Sequence, residues 1–245
     1  MIGSQRRFVK EHPRLYRGAL AARRAGVGVR RGVAMGVRPL VLGNYLRGGE
    51  KRRLHLGAGP HVIPGWLNTD LEPTSLRIAY LDATRPFRLP DASMELVFTE
   101  HMIEHVPYAS GLRMLRECAR VLRPSGRIRV ATPDVDAILA LARTPLTEEQ
   151  REYVSWFLER NDLGVPEPRG IFVVNHFFSS WGHRFLYDRR TLAEALERSG
   201  FGDVRAYRPG ESDHAELRGL ERHGAVLGSE RWNDFETMVL EAERS

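Results

Sequence analysis

Short apolar runs and amphipathic stretches alternate along residues 52 to 245, and that alternation predicts the fold. RRLHLGAG (52–59) reads as a strand entering a glycine-punctuated turn, followed by strand-like runs at 66–70 (WLNTD), 78–82 (IAYLD), 95–99 (ELVFT) and 127–132 (RIRVAT). Runs that are apolar on both faces suit strands of a parallel sheet covered by helices on each side. Between the last two, Arg113, Arg116, Glu117 and Arg120 recur at i, i+3, i+4 and i+7, the polar face of an amphipathic helix. Pro124 ends that helix and Ser125-Gly126 turns the chain into the next strand. DRRTLAEALERSGF is a second helix, with Asp188 as its N-cap, Leu192, Ala195 and Leu196 facing inward, and Gly200 as its stop. DVRAYRP (203–209) and FETMVLEAE (235–243) are two further strands, close enough in sequence to pair. Strands alternating with helices make this an α/β, doubly wound sheet.

Residues 142–187 break the alternation with Trp156, Phe157, His176, Phe177, Phe178, Trp181, His183 and Tyr187, and read as an insertion over the carboxyl edge of the sheet. The chain thus divides into a basic, partly helical arm over 1–50 and a domain over 51–245 that carries this insertion.

Charge separates the arm from the rest. Residues 1–53 hold 14 Lys+Arg against Glu11 and Glu50 alone, a balance of +12, whereas the other 192 residues hold 23 Lys+Arg and 29 Asp+Glu, a balance of −6. Such an arm suits any polyanion, whether nucleic acid, an acidic membrane surface or a phosphate-bearing substrate, and otherwise packs as a solvated extension beside the active site. At 42% hydrophobic and 28% charged, with no run near the ~20 apolar residues of a spanning helix and no apolar signal segment, the chain is expected to be cytoplasmic. Cys118 is the single cysteine, so a disulfide or cysteine-based zinc site within one subunit is excluded, and its place among Met114, Leu115 and Val121 makes it a small core residue.

Ligands of open α/β sheets settle outside the carboxyl ends of the strands, beside the first strand. Here that place holds Leu56-Gly57-Ala58-Gly59. The two glycines permit a sharp turn and close approach to a ligand. A dinucleotide also needs a third glycine and a helix N-terminus, whereas this chain has Val62 and Pro64-Gly65 there. A ligand without phosphates fits better, and S-adenosylmethionine is one. Its amino-acid end can use the glycine turn, its ribose hydroxyls a carboxylate closing the second strand (Asp70, beside Leu71), and its adenine the end of the third (Asp82, beside Ala83).

LHLGAG, NTDLEP, DATRPFRLPDASMELVFTEHMIEHV and MLRECARVLRPSGRIRVATPD resemble the successive motifs of the type 11 branch of class I S-adenosylmethionine-dependent methyltransferases. The likeness is nearest to predicted methyltransferases with an LGxG…PGWxNxD opening, often found among polysaccharide or other biosynthetic genes. It covers residues 52–140 well and HRFLYDRRTLAEALERSGF and ELRGLE more loosely. The resemblance implies a Rossmann-like, seven-stranded, mostly parallel sheet with the last strand antiparallel, and a loop after ELVFT, opened by Glu100, at the methionine end of the cofactor. The chain departs from the class in that ten residues separate Gly59 from Asp70, against about 20 in the dinucleotide type. The first crossover helix is then a single turn at most, and Glu72 is the alternative to Asp70 for the ribose.

Methyl transfer from a sulfonium needs in-line placement and, for an oxygen or nitrogen nucleophile, a base. His101, His105 and His183 are the catalytic candidates, since histidine titrates near working pH. Asp134, His176 and Tyr187 are placed at the substrate, with a helix N-cap as the alternative for Asp134. His101-x-x-Glu104-His105 also matches an inverted zinc-protease string, but the sequence indicates no third ligand; no metal is assigned, the alternatives being a catalytic divalent ion, which some methyltransferases with a related Glu/His cluster use, and a pocket shaped by Glu104 and His105 through backbone hydrogen bonds. The function read from the chain is methyl transfer to an oxygen or nitrogen of a small molecule or glycan. The alternatives are an RNA-directed methyltransferase that uses the basic arm, with peripheral membrane contact as another use of that arm, and a non-catalytic accessory protein. The oligomeric state is not legible.

Overall fold

The computed structural model describes residues 13–48 and 51–245. A long helix, α1 (Pro13–Arg47), precedes β1 (Arg53–Leu56), β2 (Leu67–Asp70), β3 (Ala79–Tyr80) and β4 (Met94–Glu100). Helix α2 (Tyr108–Val121) leads into β5 (Leu122–Pro133), and α3 (Val135–Ala140), α4 (Glu148–Arg160), α5 (Gly170–Ser179) and α6 (Arg189–Glu197) come next. The chain finishes with β6 (Phe201–Tyr207), α7 (His223–Leu227), α8 (Glu230–Glu236) and β7 (Thr237–Arg244). The strands form one sheet in the order β3-β2-β1-β4-β5-β7-β6, in which β7 alone is antiparallel to its neighbours. This is the doubly wound, seven-stranded arrangement that the sequence pattern and the resemblance imply. Strand order reverses between β1 and β4, the switch point where such sheets bind ligands.

The two faces of the sheet are built differently. On one, Leu54 and Leu56 of β1, Val97, Ile128, Val130, Leu240 and Ala242 pack with Met114, Leu115 and Cys118 of α2 and Leu192, Ala195 and Leu196 of α6. Local signals set these helices. Asp188 accepts from the Thr191 N–H at 2.6 Å as the N-cap of α6, and Gly200 takes a φ of 95° beyond its end. The expected turn after α2 is also present: Ser125 has φ 60°, and the β4–β5 register passes from Met94↔Leu122 to Leu96↔Arg127 across it.

On the other face a polar row crosses the strands, in register from Asn68 through His55, Phe98 and Arg129 to Glu241. No helix forms among residues 57–66, so the crossover is a loop. Asn68 pins it, accepting from Ile63 N at 2.9 Å and donating to the carbonyls of Ile63 and Trp66, each at 3.0 Å. Because Asn68 Oδ1 is fixed as an acceptor, His55 must present Nδ1–H to it at 3.0 Å. A strap of residues 208–222 covers the rest of this face. Arg129, fully buried, donates from Nε to Glu221 and from Nη1 to Glu241, both at 2.5 Å, and to the Glu211 carbonyl at 2.8 Å.

Helix α1 lies along the β3 edge. Arg31 donates to the Tyr80 hydroxyl at 3.0 Å, Arg31 and Arg38 stand over the Tyr80 ring, and Ala34 and Leu42 are buried. Most of the expected arm is thus one helix; residues 1–12 and 49–50 lie outside the described residues. Among the described residues no helix is long and apolar enough to cross a membrane.

Two stability predictions follow from the polar face. Burial lowers the pKa of His55 from 6.5 to about 4, with the Asn68 hydrogen bond partly opposing it. The unfolded chain therefore binds the extra proton between those values, so the contribution of neutral His55 is intact above pH 6.5 and drains as pH falls toward 4. Urea titrations should show the loss from neutral pH to about pH 4.5 to be smaller in His55→Gln than in the parent, by roughly 2–3 kcal/mol. In Arg129→Leu, Glu221 and Glu241 become buried carboxylates without their cation, which should cost about 3–5 kcal/mol in the same assay; a change under 1 kcal/mol would refute the anchoring role.

Candidate active site

The end of β4 shapes the site. His101 takes a φ of 46°, which swings the chain out of the strand, and its N–H donates to the Ala131 carbonyl of β5 at 2.9 Å. The next residues form a short 3-10 turn, Ile103–His105, that buries Glu104 completely. His101 Nδ1–H donates to Glu104 Oε1 at 3.2 Å, and the Thr132 hydroxyl of β5 donates to Oε2 at 3.0 Å. The Thr237 hydroxyl spends its proton on Asn233 Oδ1 at 3.2 Å, so His101 Nε2, also at 3.2 Å, donates to Thr237 Oγ1. Both ring nitrogens of His101 are thus engaged, one by a carboxylate and one by a hydroxyl. Burial opposes a charge on the ring, but the Glu104 hydrogen bond and the charges of Glu104, Glu236 and Glu100 overcome it, and the pKa lies above the ordinary histidine value. Glu104 shows the counterpart: burial works against its charge, His101 prevails, and its pKa lies below the ordinary glutamate value.

A second histidine–carboxylate pair faces the first. Glu236, at the end of α8, accepts from the Tyr153 hydroxyl at 2.5 Å and from His223 Nε2–H at 3.2 Å. The His223 ring lies against the His101 ring with centroids 3.7 Å apart and 30° between planes. His223 and Glu236 join this cluster although the sequence reading named neither. His223 lies ahead of the run FETMVLEAE read as a strand and Glu236 within it, and ELRGLE was the one nearby signal. His223 is placed by Glu100, whose two oxygens accept from the N–H groups of Arg222 and His223 at 2.9–3.0 Å.

These groups line a cavity of about 290 Å³ at the carboxyl ends of β4 and β5. Residues of the 142–187 segment form much of its wall. Thr147 and Gln150 start α4 with a reciprocal capping box, and α4 and α5 share a core of Tyr153, Phe157, Val173 and Phe177 with Trp232 of α8. Trp156, Phe157, Phe177 and Trp181 wall the cavity, and Trp181 is 51% exposed. His105 and His183 also line it, with rings 5.1 Å apart. His183 Nδ1–H donates to the Phe177 carbonyl at 2.7 Å, which leaves the Nε2 lone pair free. Burial dominates there and lowers the His183 pKa.

The glycine bend forms the neighbouring rim. Gly57 has φ 70° and Gly59 φ 51°. A Cβ on Gly57 would stand 2.5 Å from Met102 Cγ, so the loop after β4 packs directly on the bend, while nothing lies within 4 Å of one on Gly59. Gly59 N–H donates to Asp70 Oδ2 at 2.9 Å and Glu72 N–H to Asp70 Oδ1 at 2.7 Å, which joins the glycines to the carboxylate closing β2. Asp82 Oδ1 accepts from the Thr84 N–H at 3.0 Å and its hydroxyl at 2.6 Å. Leu56 and Ala58 are buried, Ala83 is partly buried, and Leu71 is exposed.

Several expected site residues hold other posts. His101 has both ring nitrogens engaged, by Glu104 and Thr237, which orients it away from an acceptor. Glu100 is turned toward the strap and the start of α7, accepting from the N–H groups of Arg222 and His223. Tyr187 is fully buried and packs on Tyr108 and Phe185, away from the cavity. Asp134 is the N-cap of α3, accepting from Asp136 N at 3.0 Å and Ala137 N at 3.4 Å. His176 packs on Trp181 behind the cavity wall, with centroids 4.6 Å apart.

Parts of the chain are similar to known proteins. A family model described as a methyltransferase domain matches residues 66–130. Two curated relatives from strains of Mycobacterium tuberculosis, each named a probable S-adenosylmethionine-dependent methyltransferase, are 50% identical over 46 residues, 19% of this chain. The chain covers 16% of the length of those relatives. Among solved structures, a SAM-dependent methyltransferase from Archaeoglobus fulgidus is similar with 16% identity and a TM-score of 0.47, over 88% of this chain and 94% of that one. Another, from Mesorhizobium loti, has 18% identity and a TM-score of 0.47, over 83% and 98%. The family match runs from the residue before β2 into β5, across the switch point of the sheet.

Proposed function

We propose that the chain transfers the methyl group of S-adenosylmethionine to an oxygen or nitrogen of a small-molecule or glycan acceptor held in the cavity between β4, β5 and the insertion. One observation carries this reading: the His223–Glu236 pair opens into a cavity one strand away from the glycine bend. Neighbouring strands lie about 4.8 Å apart, so a sulfonium seated at β1 reaches the cavity floor at β4.

The bend at Gly57 and Gly59 would receive the amino-acid end of the cofactor, Asp70 the ribose hydroxyls and Asp82 the adenine. A carboxylate has about four lone-pair sites, so Asp70 and Asp82 can take ligand donors while keeping their present bonds. Those bonds fix the carboxylates before the ligand arrives.

In the transfer itself the acceptor lone pair attacks the methyl carbon, the S–CH3 bond breaks, and S-adenosylhomocysteine leaves. The acceptor proton passes to His223 Nδ1, the nitrogen left without hydrogen because Glu236 holds Nε2–H. Positive charge thus moves from sulfur to an imidazole already paired with a carboxylate, as in other base–carboxylate dyads. The aromatic wall of Trp156, Phe157 and Trp181 supplies broad apolar faces with polar edges, which suits the CH-rich face of a sugar or another compact acceptor.

Calorimetry with S-adenosylhomocysteine should give saturable heat, and Asp70→Ala and Asp82→Ala should each weaken binding by about 1–3 kcal/mol. Unchanged affinity in folded variants would remove those carboxylates from the cofactor site. With methyl-labelled S-adenosylmethionine, label should enter a panel of hydroxylated and amino sugars and small acceptors and not RNA. His223→Ala should lower kcat on the acceptor found by about 100-fold or more with S-adenosylhomocysteine affinity retained. Transfer to RNA alone would overturn the acceptor assignment.

A further inference from the structure

Beside the His223–Glu236 pair the cavity holds a second constellation that methyl transfer, as described above, does not use. A carboxylate oxygen of Glu104 and one ring nitrogen each of His105 and His183 lie within 4.8 Å of one another. Two imidazoles and a carboxylate are a ligand set for a divalent first-row transition metal.

The donors are prepared for such an ion. His183 Nδ1–H is held by the Phe177 carbonyl at 2.7 Å, so its Nε2 lone pair is the one available; metal-binding histidines are oriented by this kind of outer contact. Glu104 is fully buried and kept in place by the Thr132 hydroxyl at 3.0 Å and His101 at 3.2 Å. Those two bonds leave further lone pairs on its oxygens. The segments that carry the ligands are tied together as well, because the Glu104 carbonyl accepts from Arg184 N at 2.7 Å and Phe185 N at 3.2 Å. Next to His183, Gly182 takes a φ of 85°, and a Cβ there would come within 3.9 Å of His105 Nδ1. The histidines therefore meet where the backbone bends most closely. Donors at 2.0–2.2 Å from a tetrahedral ion stand about 3.3–3.6 Å apart, so closing the site takes movement of about an ångström, which the exposed His105 side chain can supply.

We infer that Glu104, His105 and His183 bind one divalent transition-metal ion, with its open coordination positions facing the acceptor cavity. Resting on the methyltransferase reading, the ion's place in that cavity assigns it an oxygen of the acceptor as a further ligand, which favours hydroxyl-bearing acceptors over amines.

The probe is Co2+ titrated into the full-length, untagged, chelator-treated protein, followed by visible absorption and by calorimetry. One equivalent should bind and develop a ligand-field band, and His183→Ala and His105→Ala should each weaken binding by about tenfold or more and diminish the band. Zn2+ should displace the Co2+ with the same stoichiometry. Absence of saturable binding, or binding untouched by both substitutions, would overturn the site. S-adenosylhomocysteine affinity, measured on the same samples, separates the two readings. Cofactor binding without Co2+ binding refutes the metal and leaves methyl transfer standing, whereas Co2+ binding without cofactor binding does the reverse. Circular dichroism of each variant verifies that it is folded, and His105→Gln provides a milder change should His183→Ala fail that check.

Discussion

A carboxylate with no exposed surface, Glu104, is the constraint on which the site depends. Burying that charge is costly unless it is paired and hydrogen-bonded, and three segments hold the residue. His101 brings a ring N–H from the end of β4 and Thr132 a hydroxyl from β5 to the carboxylate, and the backbone carbonyl of Glu104 takes the N–H groups of Arg184 and Phe185 from the end of the insertion. The β4 exit, the β5 edge and the returning insertion therefore cannot shift independently. The cavity is the space left above this knot. Its stacked histidines, His101 and His223, are acceptable neighbours because each has its own carboxylate.

The opposite face of the sheet explains how His223 arrives there. A doubly wound sheet ordinarily covers both faces with helices, but between β1 and β2 this chain has a pinned loop, and the strap over 208–222 closes the gap. Arg129 anchors the strap through Glu221 and the Glu211 carbonyl. The strap then runs directly into Arg222 and His223, whose N–H groups Glu100 receives. A buried ion cluster on one side of the sheet thereby sets the position of a cavity residue at its rim. The two parts are coupled through a single connected stretch of chain, without any need for a larger rearrangement.

What could be read in the sequence was what local physics decides. The strand runs, the amphipathic face of α2, the Asp188 cap, the Gly200 stop and the glycine bend are all set by neighbours within a few residues, and each stands where the pattern put it. The strap has no period to detect, since its place is fixed by Arg129 and Glu221, 92 residues apart. For the same reason RIRVAT looked like an apolar strand although Arg129 is its most deeply committed residue. His223 and Glu236 were invisible because neither belongs to a motif; they meet the EHMIEH loop only after β7 has paired with β5. Tyr187 erred in the opposite sense. Its aromatic neighbours suggested a pocket wall, but it closes the segment that enters the core at α6, and burial followed.

The placement of the basic arm bears on the choice of acceptor. In the described residues α1 lies against β3, through Arg31 and Arg38 at Tyr80. Strand order puts β2 and β1 between that edge and β4, a separation of about 14 Å at ordinary strand spacing. A Debye length at physiological salt is about 8 Å, so the charges of Arg31 and Arg38 are largely screened at the cavity and act beside Asp82, on the adenine side of the proposed cofactor site. A polyanion held by these two arginines would lie along the β3 edge, away from His223. The cavity has instead aromatic walls, two carboxylates, imidazoles and Arg160, the lining on which the proposed compact acceptor rests.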